Sequence, residues 1–313
     1  MLLKQSTYNK RLIGDNLSQT EIEKYTQELT LCAHAELSAL VNATNFKSHH
    51  VHTPPSFDRD TVLFESIDVI RYMFAILNTW NINPKDVVSA YESKDNYLMM
   101  QEHFKNTRWD GKQSVAIIDI DDVLAEFRIA FAQWLDVNLD IEADVESDEY
   151  FFISALSKAD ENPEAIFETF LQHDGFKNLP IVNGAIEFLK DLKVQGYYIH
   201  LLTARPKEEL RCLYNTFTWL KNNDVPCDAI DFSSEKFRWC AKSKYYDEEK
   251  IAFAIDDSPK HAAEYAKHGI KCYVPLKNYN KHLSQDNIYF YNDFSDILRK
   301  EKELKKIIKH GTL

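Results

Sequence analysis

Residues 115–127 read VAIIDIDDVLAEF, from Val115 to Phe127. A short apolar run with the pattern of a buried strand gives way to three acids, Asp119, Asp121 and Asp122. Carboxylates held this close repel and cannot all stay ionised cheaply without a cation nearby. Acids also serve as turn and cap residues at strand ends, so one such cluster decides nothing by itself. What decides is whether other strand ends in the chain repeat it.

From Ser114 onward they do. Short apolar, β-rich runs recur as YYIHLLT, AIDF, IAFAID and KCYVP, with helical stretches between them. Strands alternating with helices predict an α/β fold, a parallel sheet covered by helices on both faces. Ligands of such sheets bind at the carboxyl ends of the strands. IAFAIDDSPKHAAEYAKHG ends its strand in Asp256 and Asp257, with Ser258 placed to cap the next helix, Pro259 in its first turn and Gly269 at its exit. YYIHLLTARP ends in Thr203, with Arg205 just after. AIDFSSEKF leads into a predicted helix that opens near Lys236. Lys242 and Lys244 lie on the same predicted helix but further from the strand end, so Lys236 is the cation expected at the crevice. Phosphoryl transfer needs a nucleophile, a metal site and donors for the phosphoryl oxygens, and these four ends supply that set.

DIDDV, LLTAR, the helix-opening Lys236 and AIDDS resemble, in order, the four motifs of the haloacid dehalogenase-like phosphatases over residues 115 to about 275. LPIVNGAIEFLKDLKVQGYYIHLLTARP resembles the 5′(3′)-deoxyribonucleotidases of that superfamily. The end of the chain also resembles the phosphatase half of phage polynucleotide kinases, but no G-x-x-x-x-G-K-[ST] loop accompanies it. The resemblance implies a Rossmann-like domain with a small helical cap. It makes Asp119 the nucleophile that becomes an aspartyl-phosphate and Asp121 the general acid and base. Asp119, the Asp121 carbonyl and Asp256 would hold Mg²⁺ with support from Asp257, while Thr203 and Lys236 hold the phosphoryl oxygens. Arg205 is expected to bind substrate. Residues 124 to about 180 are rich in aromatics and read as the cap. In the resembled deoxyribonucleotidases cap rings stack on the base, a role that Phe127 and one of Phe151 or Phe152 could take here; helical spacing also lets such rings form the cap's own core.

Residues 1–108 have a different texture. EIEKYTQELTLCAHAELSALVNATNF, DTVLFESIDVIRYMFAILNTW and a stretch opening near Pro84 carry apolar residues at helical spacing, and the segment reads as an all-α domain ahead of the domain at 109–313. Glu65 and Asp68 share one helix face, and Glu36 lies on the preceding helix. Inward carboxylates on facing helices make metal sites in bundles. The pattern resembles the all-α NTP pyrophosphatases, the MazG and dimeric dUTPase-like group, with its E-x-x-E followed by E-x-x-D. Glu36, Glu65 and Asp68 fill three of those positions, and Lys47 and Lys94 fall near substrate-binding positions. The second glutamate position is Ala39, so a full metal site is one carboxylate short.

Bulk properties bound the partners. A formal net charge of −12 argues against tight nucleic-acid binding, which needs many cationic phosphate contacts. Five scattered cysteines without a C-x-x-C pair read as reduced thiols. The N-terminal stretch lacks a signal peptide's apolar centre and no apolar run reaches ~18 residues, so the expected setting is cytoplasmic, away from membranes. The expectation is a Mg²⁺-dependent phosphatase of (deoxy)nucleoside monophosphates, homo-oligomeric through a dUTPase-like half that hydrolyses or only binds dNTPs. The alternatives are a 3′-phosphatase of nucleic-acid ends and a nucleotide sensor or scaffold.

Overall fold

The computed structural model describes residues 17–44, 59–150 and 162–309, so Lys47, Phe151 and Phe152 lie outside the described residues. The chain divides into two compact units, Met1–Glu92 and Ser93–Leu313. The first is built on α1 (Gln19–Ala43) and α2 (Arg59–Thr79), which pack against each other. A capping box starts α1: the Glu21 carboxylate accepts the Ser18 N–H at 2.8 Å and the Ser18 hydroxyl accepts the Glu21 N–H at 3.4 Å. Ala33 and Ala75 are the most buried side chains of this unit among the described residues, and their small size lets helices approach closely. Trp80 Nε1 donates to Thr26 Oγ1 at 2.9 Å, tying the end of α2 to α1.

Helix α3 (Pro84–Asn106) opens at the proline expected to open it and carries the boundary between the units. The chain then breaks at Gly111, whose φ of 81° suits a residue without a Cβ. From there it builds six parallel strands: β1 (Val115–Ile118), β2 (Tyr198–Thr203), β3 (Ala229–Phe232), β4 (Ile251–Ile255), β5 (Cys272–Pro275) and β6 (Ile288–Tyr291). Their order in the sheet is β3-β2-β1-β4-β5-β6. β6 was not among the strands expected from the sequence. It is a four-residue edge strand, bounded by Asp286-Asn287 and Asn292-Asp293, whose short aromatic run does not stand out beside the aliphatic central strands.

Alternate residues of the central strands serve two cores. Ala116, Ile118, Ile199, Leu201, Phe253 and Ile255 point to one face, and Val115, Ile117, Tyr198, Leu202 and Ala254 to the other. Both faces are covered, which is why these strands read as unbroken apolar runs. After β1 the chain forms α4 (Phe127–Leu139) and α5 (Pro163–Gln172) in the insertion, then α6 (Ala185–Val194), α7 (Leu210–Asn222), α8 (Lys236–Cys240), α9 (Lys244–Asp247), α10 (Pro259–Lys267) and α11 (Phe294–Lys309) among the sheet strands. The single helix expected from Lys236 through Lys244 is two short ones. The Ser243 hydroxyl accepts the Tyr246 N–H and starts α9 anew. No helix among the described residues is long and apolar enough to cross a membrane.

Candidate active site

Strand register sets the site. Ile118 pairs with Leu201 on one side and Ile255 on the other, so Asp119 and Asp256 leave the sheet side by side at its carboxyl edge. The Asp119 N–H donates to the Ile255 carbonyl at 2.9 Å and holds that register past the last strand residue. β2 ends one residue further on, in Thr203. At the start of α8, Lys236 is 1% exposed, and its ammonium lies 2.7 Å from Asp119 Oδ2 and 2.8 Å from Asp256 Oδ2. Lys242 and Lys244 are exposed.

The other acids have separate duties. Asp257 Oδ2 accepts the Tyr279 hydroxyl at 2.9 Å, and Asn280 Nδ2 donates to the Asp257 carbonyl at 3.1 Å. Asp256 Oδ1 accepts the Ser258 N–H at 3.0 Å. Ser258 is the N-cap residue of α10, yet its hydroxyl makes no capping bond. Asp122 has φ 54°, in the left-handed region, and its Oδ1 accepts the Arg128 N–H at 2.9 Å. The third acid of the opening stretch therefore anchors the first turn of α4, the helix that begins the insertion. Arg128 in turn fastens the following loop, donating from Nε to the Val145 carbonyl at 2.6 Å and from Nη1 to the Tyr150 carbonyl at 2.9 Å.

An open cavity of about 300 Å³ lies over this edge. Asp119, Asp121, Lys236 and Asp257 line it together with the rings of Phe127, Phe167, Phe176 and Tyr150. Phe127 already stacks on Phe131 and Phe176, with centroids at 5.6 and 5.5 Å, so it belongs both to the insertion's aromatic core and to the cavity wall. At the β2 end the wall is made by Ala204, Arg205 and Pro206. The Thr203 side chain is fully buried and accepts the Arg205 N–H at 3.2 Å. His261 also lines the cavity, and burial pushes its imidazole down to about 4, so it stays neutral. Sequence reasoning missed His261, Phe176 and Tyr279; none belongs to a strand-end motif, and only α10's helical period could have pointed to His261.

Asp119, Asp256 and Asp257 are all buried, and each places a carboxylate oxygen within 4.8 Å of the others. Three carboxylates against one lysine leave excess negative charge where water is scarce. Burial pushes Asp119 up to about 7; Lys236 opposes the shift, and Asp256 and Asp121 reinforce it. Burial likewise raises Asp122 to about 7 and Asp257 well above the carboxylate range. Burial works against the Lys236 charge too, but Asp119 and Asp256 outweigh it and hold the ammonium protonated. Hard oxygen donors with unbalanced charge suit a divalent cation such as Mg²⁺.

This imbalance gives the metal-free protein an unusual pH dependence. In the unfolded chain the same carboxyls titrate near 3.8. Between about pH 4 and pH 7 the folded state therefore binds more protons than the unfolded state, and stability falls as pH rises through that window. Lys236 is protonated in both states there and adds no slope. At ~1.4 kcal/mol per pH unit for each group, chelated protein should lose on the order of several kcal/mol between pH 5 and pH 8, the coupling between the groups keeping the total below their simple sum. Thermal unfolding in excess chelator at the two pH values checks this, and a melting temperature that rises with pH would contradict it.

In the helical unit, Glu36, Glu65 and Asp68 are half-buried and bring carboxylate oxygens within 4.8 Å of one another. Asp68 also meets Arg71 Nη1 at 3.4 Å. Lys94 belongs to the other compact unit, where its ammonium donates to the Tyr214 hydroxyl at 2.7 Å.

No family model matches the chain. It is similar to two bacterial proteins that each carry the description "putative nucleotidase". The one from Bacillus cereus is 29% identical over 121 residues, covering 37% of this chain and 60% of that protein. The one from Oceanobacillus iheyensis is 26% identical over 182 residues, covering 56% of this chain and 94% of that protein. Among solved structures, a HAD family hydrolase from Deinococcus radiodurans with bound phosphate and sodium aligns at 14% identity and TM-score 0.42, covering 62% of this chain and 97% of that one. A predicted phosphoglycolate phosphatase from Haemophilus somnus aligns at 16% identity and TM-score 0.41, covering 60% and 98%. The parallel sheet, its strand order and the helices on its faces give residues 115–309 a Rossmann-type α/β fold, with acids and a lysine gathered at one edge, preceded by a helical region.

Proposed function

We propose that the chain is a Mg²⁺-dependent phosphatase that hydrolyses (deoxy)nucleoside monophosphates through an aspartyl-phosphate. The observation that carries this reading is the Lys236 ammonium held between Asp119 and Asp256 at the floor of a cavity walled by aromatic rings. An Asp119 oxygen attacks phosphorus. The bond from phosphorus to the nucleoside oxygen breaks with its electron pair on that oxygen, which takes a proton from Asp121. Asp121 then removes a proton from water, which attacks phosphorus and releases phosphate from Asp119. Lys236 balances phosphoryl charge. Asp119, the Asp121 carbonyl, Asp256 and Asp257 are the groups that would hold Mg²⁺, and the bound ion supplies charge neutralisation between carboxylate and phosphate. Ring walls suit a nucleobase, since base–aromatic stacking contributes ~1–3 kcal/mol. The descriptions of the two bacterial relatives point to the same substrate class.

For the helical half, spanning about residues 1–108, the reading is divalent-cation-assisted binding of dNTPs at Glu36, Glu65 and Asp68. Hydrolysis there comes second, because Ala39 stands where a further carboxylate would. Exposed apolar residues such as Leu31 and Phe64, 70% and 67% exposed, suit a homo-oligomer formed through this half in a cytoplasmic protein. A 3′-phosphatase of nucleic-acid ends is disfavoured by the charge of −12.

The test is a chromatographic product assay with Mg²⁺ over nucleoside mono- and triphosphates, with Glu65→Gln in parallel. Monophosphates should become nucleosides and inorganic phosphate in both proteins. Glu65→Gln should weaken divalent-cation binding by the helical half about tenfold or more while leaving that phosphatase rate unchanged. A protein that leaves every monophosphate intact overturns the proposal.

A further inference from the structure

In the sequence Arg205 is a cation beside a strand end, placed to meet a phosphate. The structure commits its guanidinium elsewhere. Nε donates to Asp121 Oδ2 at 2.9 Å and to Oδ1 at 3.2 Å, and Nη2 donates to Oδ1 at 2.6 Å. Nη1 donates to Thr216 Oγ1 at 3.0 Å. Thr216 in turn donates to the Cys212 carbonyl at 2.8 Å, which orients its lone pairs toward the arginine. The guanidinium lies 4.3 Å from the centroid of Phe176 and 5.8 Å from that of Trp219. Trp219 is itself fixed by its Nε1 donating to the Leu179 carbonyl at 2.8 Å. Arg205 is 4% exposed, and all three guanidinium nitrogens are engaged.

We propose that Arg205 is the positioning residue of Asp121: it aims that carboxyl at the leaving oxygen and makes Oδ2 the oxygen that hands over the proton. The proposal rests on the phosphatase reading above. Asp121 stands two residues beyond Asp119, outside the sheet, with its side chain 23% exposed. Sheet pairing therefore does not fix its rotamer. A bidentate fork does, because it constrains the plane of the carboxyl as well as its distance. The fork is uneven. Oδ1 accepts from both Nη2 and Nε, whereas Oδ2 accepts from Nε alone and keeps a lone pair free for the transferred proton. Phe176, one wall of the guanidinium's niche, stacks on Phe127, so packing of the aromatic insertion reaches the acid through Arg205.

An aimed acid matters in proportion to how much the leaving group needs its proton. A nucleoside oxygen departing as an alkoxide needs it; p-nitrophenolate does not. The experiment measures kcat and KM of the full chain with Mg²⁺, and of Arg205→Lys, Arg205→Gln and Thr216→Val, on a nucleoside monophosphate and on p-nitrophenyl phosphate. Arg205→Lys and Arg205→Gln should lose about 10²-fold in kcat on the nucleotide. On the aryl ester kcat/KM, which reports the steps up to aspartyl-phosphate formation, should stay within about fivefold, whereas kcat/KM on the nucleotide falls with kcat. Release of phosphate from Asp119, which uses Asp121 as base for either ester, slows with both. Thr216→Val should show the same leaving-group pattern with a smaller loss. An equal loss of kcat/KM on both substrates would assign Arg205 a structural role and overturn the proposal. A raised KM with kcat retained would return it to phosphate binding and overturn it equally. Wild-type protein inactive on both esters would instead overturn the phosphatase reading, and this proposal with it.

Discussion

Asp119→Asn is expected to lower phosphatase turnover by about 10⁴-fold or more, the scale on which enzymes lose rate when the covalent nucleophile is removed. The amide has nearly the same shape, but its nitrogen and neutral oxygen cannot form the acyl phosphate. The same substitution should make the metal-free protein more stable at pH 8. There the wild-type Asp119, with its carboxyl pushed up to about 7 by burial, is mostly ionised among Asp256, Asp257 and Asp121. A neutral isostere removes the cost of burying that charge, and with it the repulsion from Asp256 and Asp121, while Lys236 keeps Asp256 as its partner at 2.8 Å. Thermal unfolding in chelator reads the stability and steady-state turnover reads the activity. A variant with wild-type turnover contradicts the assignment of the nucleophile, and one less stable than wild type in chelator at pH 8 contradicts the electrostatic account.

Lys236→Met is expected to have the opposite effect on stability. It deletes the cation that, among the described residues, touches both Asp119 and Asp256. Removing one partner of a buried ion pair typically costs about 3–5 kcal/mol, because the remaining charge is left without compensation. Part of that loss should return at pH 5, where protonation of the carboxyls removes the need for a counter-charge. Saturating Mg²⁺ should also return part of it by supplying one. Turnover should fall as well, since the ammonium that balances phosphoryl charge is gone. Denaturant unfolding at pH 5 and pH 8 checks the prediction; a loss that is the same at both values would mean that packing, rather than charge, is the role of Lys236.

The sheet edge was legible in the sequence for a physical reason. Strands buried on both faces read as continuous apolar runs, and an acid at the end of such a run stands out. Asp119, Asp256 and Asp257 were readable in that way, and the structure brings them together. Lys236 was readable because a helix start beside a strand end faces the crevice. The partners of these residues were not readable. Nothing in the spacing of Asp121 and Arg205 shows that they form a bidentate pair across 84 positions of the chain. Thr203 turns its hydroxyl to a backbone N–H of its own loop, and Asp122 holds the first turn of α4; both are local choices that the residue type permits without requiring. Tyr279 and Asn280 lie in an irregular stretch between β5 and β6, where no period exists to be read. In the helical half, Glu36 lies on a separate helix from Glu65 and Asp68, and the packing of α1 against α2 closes that gap.

The central claim is that phosphate passes through Asp119 itself. Its most direct test is rapid acid quenching of the full chain during turnover of a phosphate-labelled nucleoside monophosphate with Mg²⁺, followed by mapping of the labelled peptide. The account predicts acid-stable, base-labile label on the peptide carrying Asp119, and none in Asp119→Asn. Turnover with no label on the protein, or with label on a different residue, would contradict it.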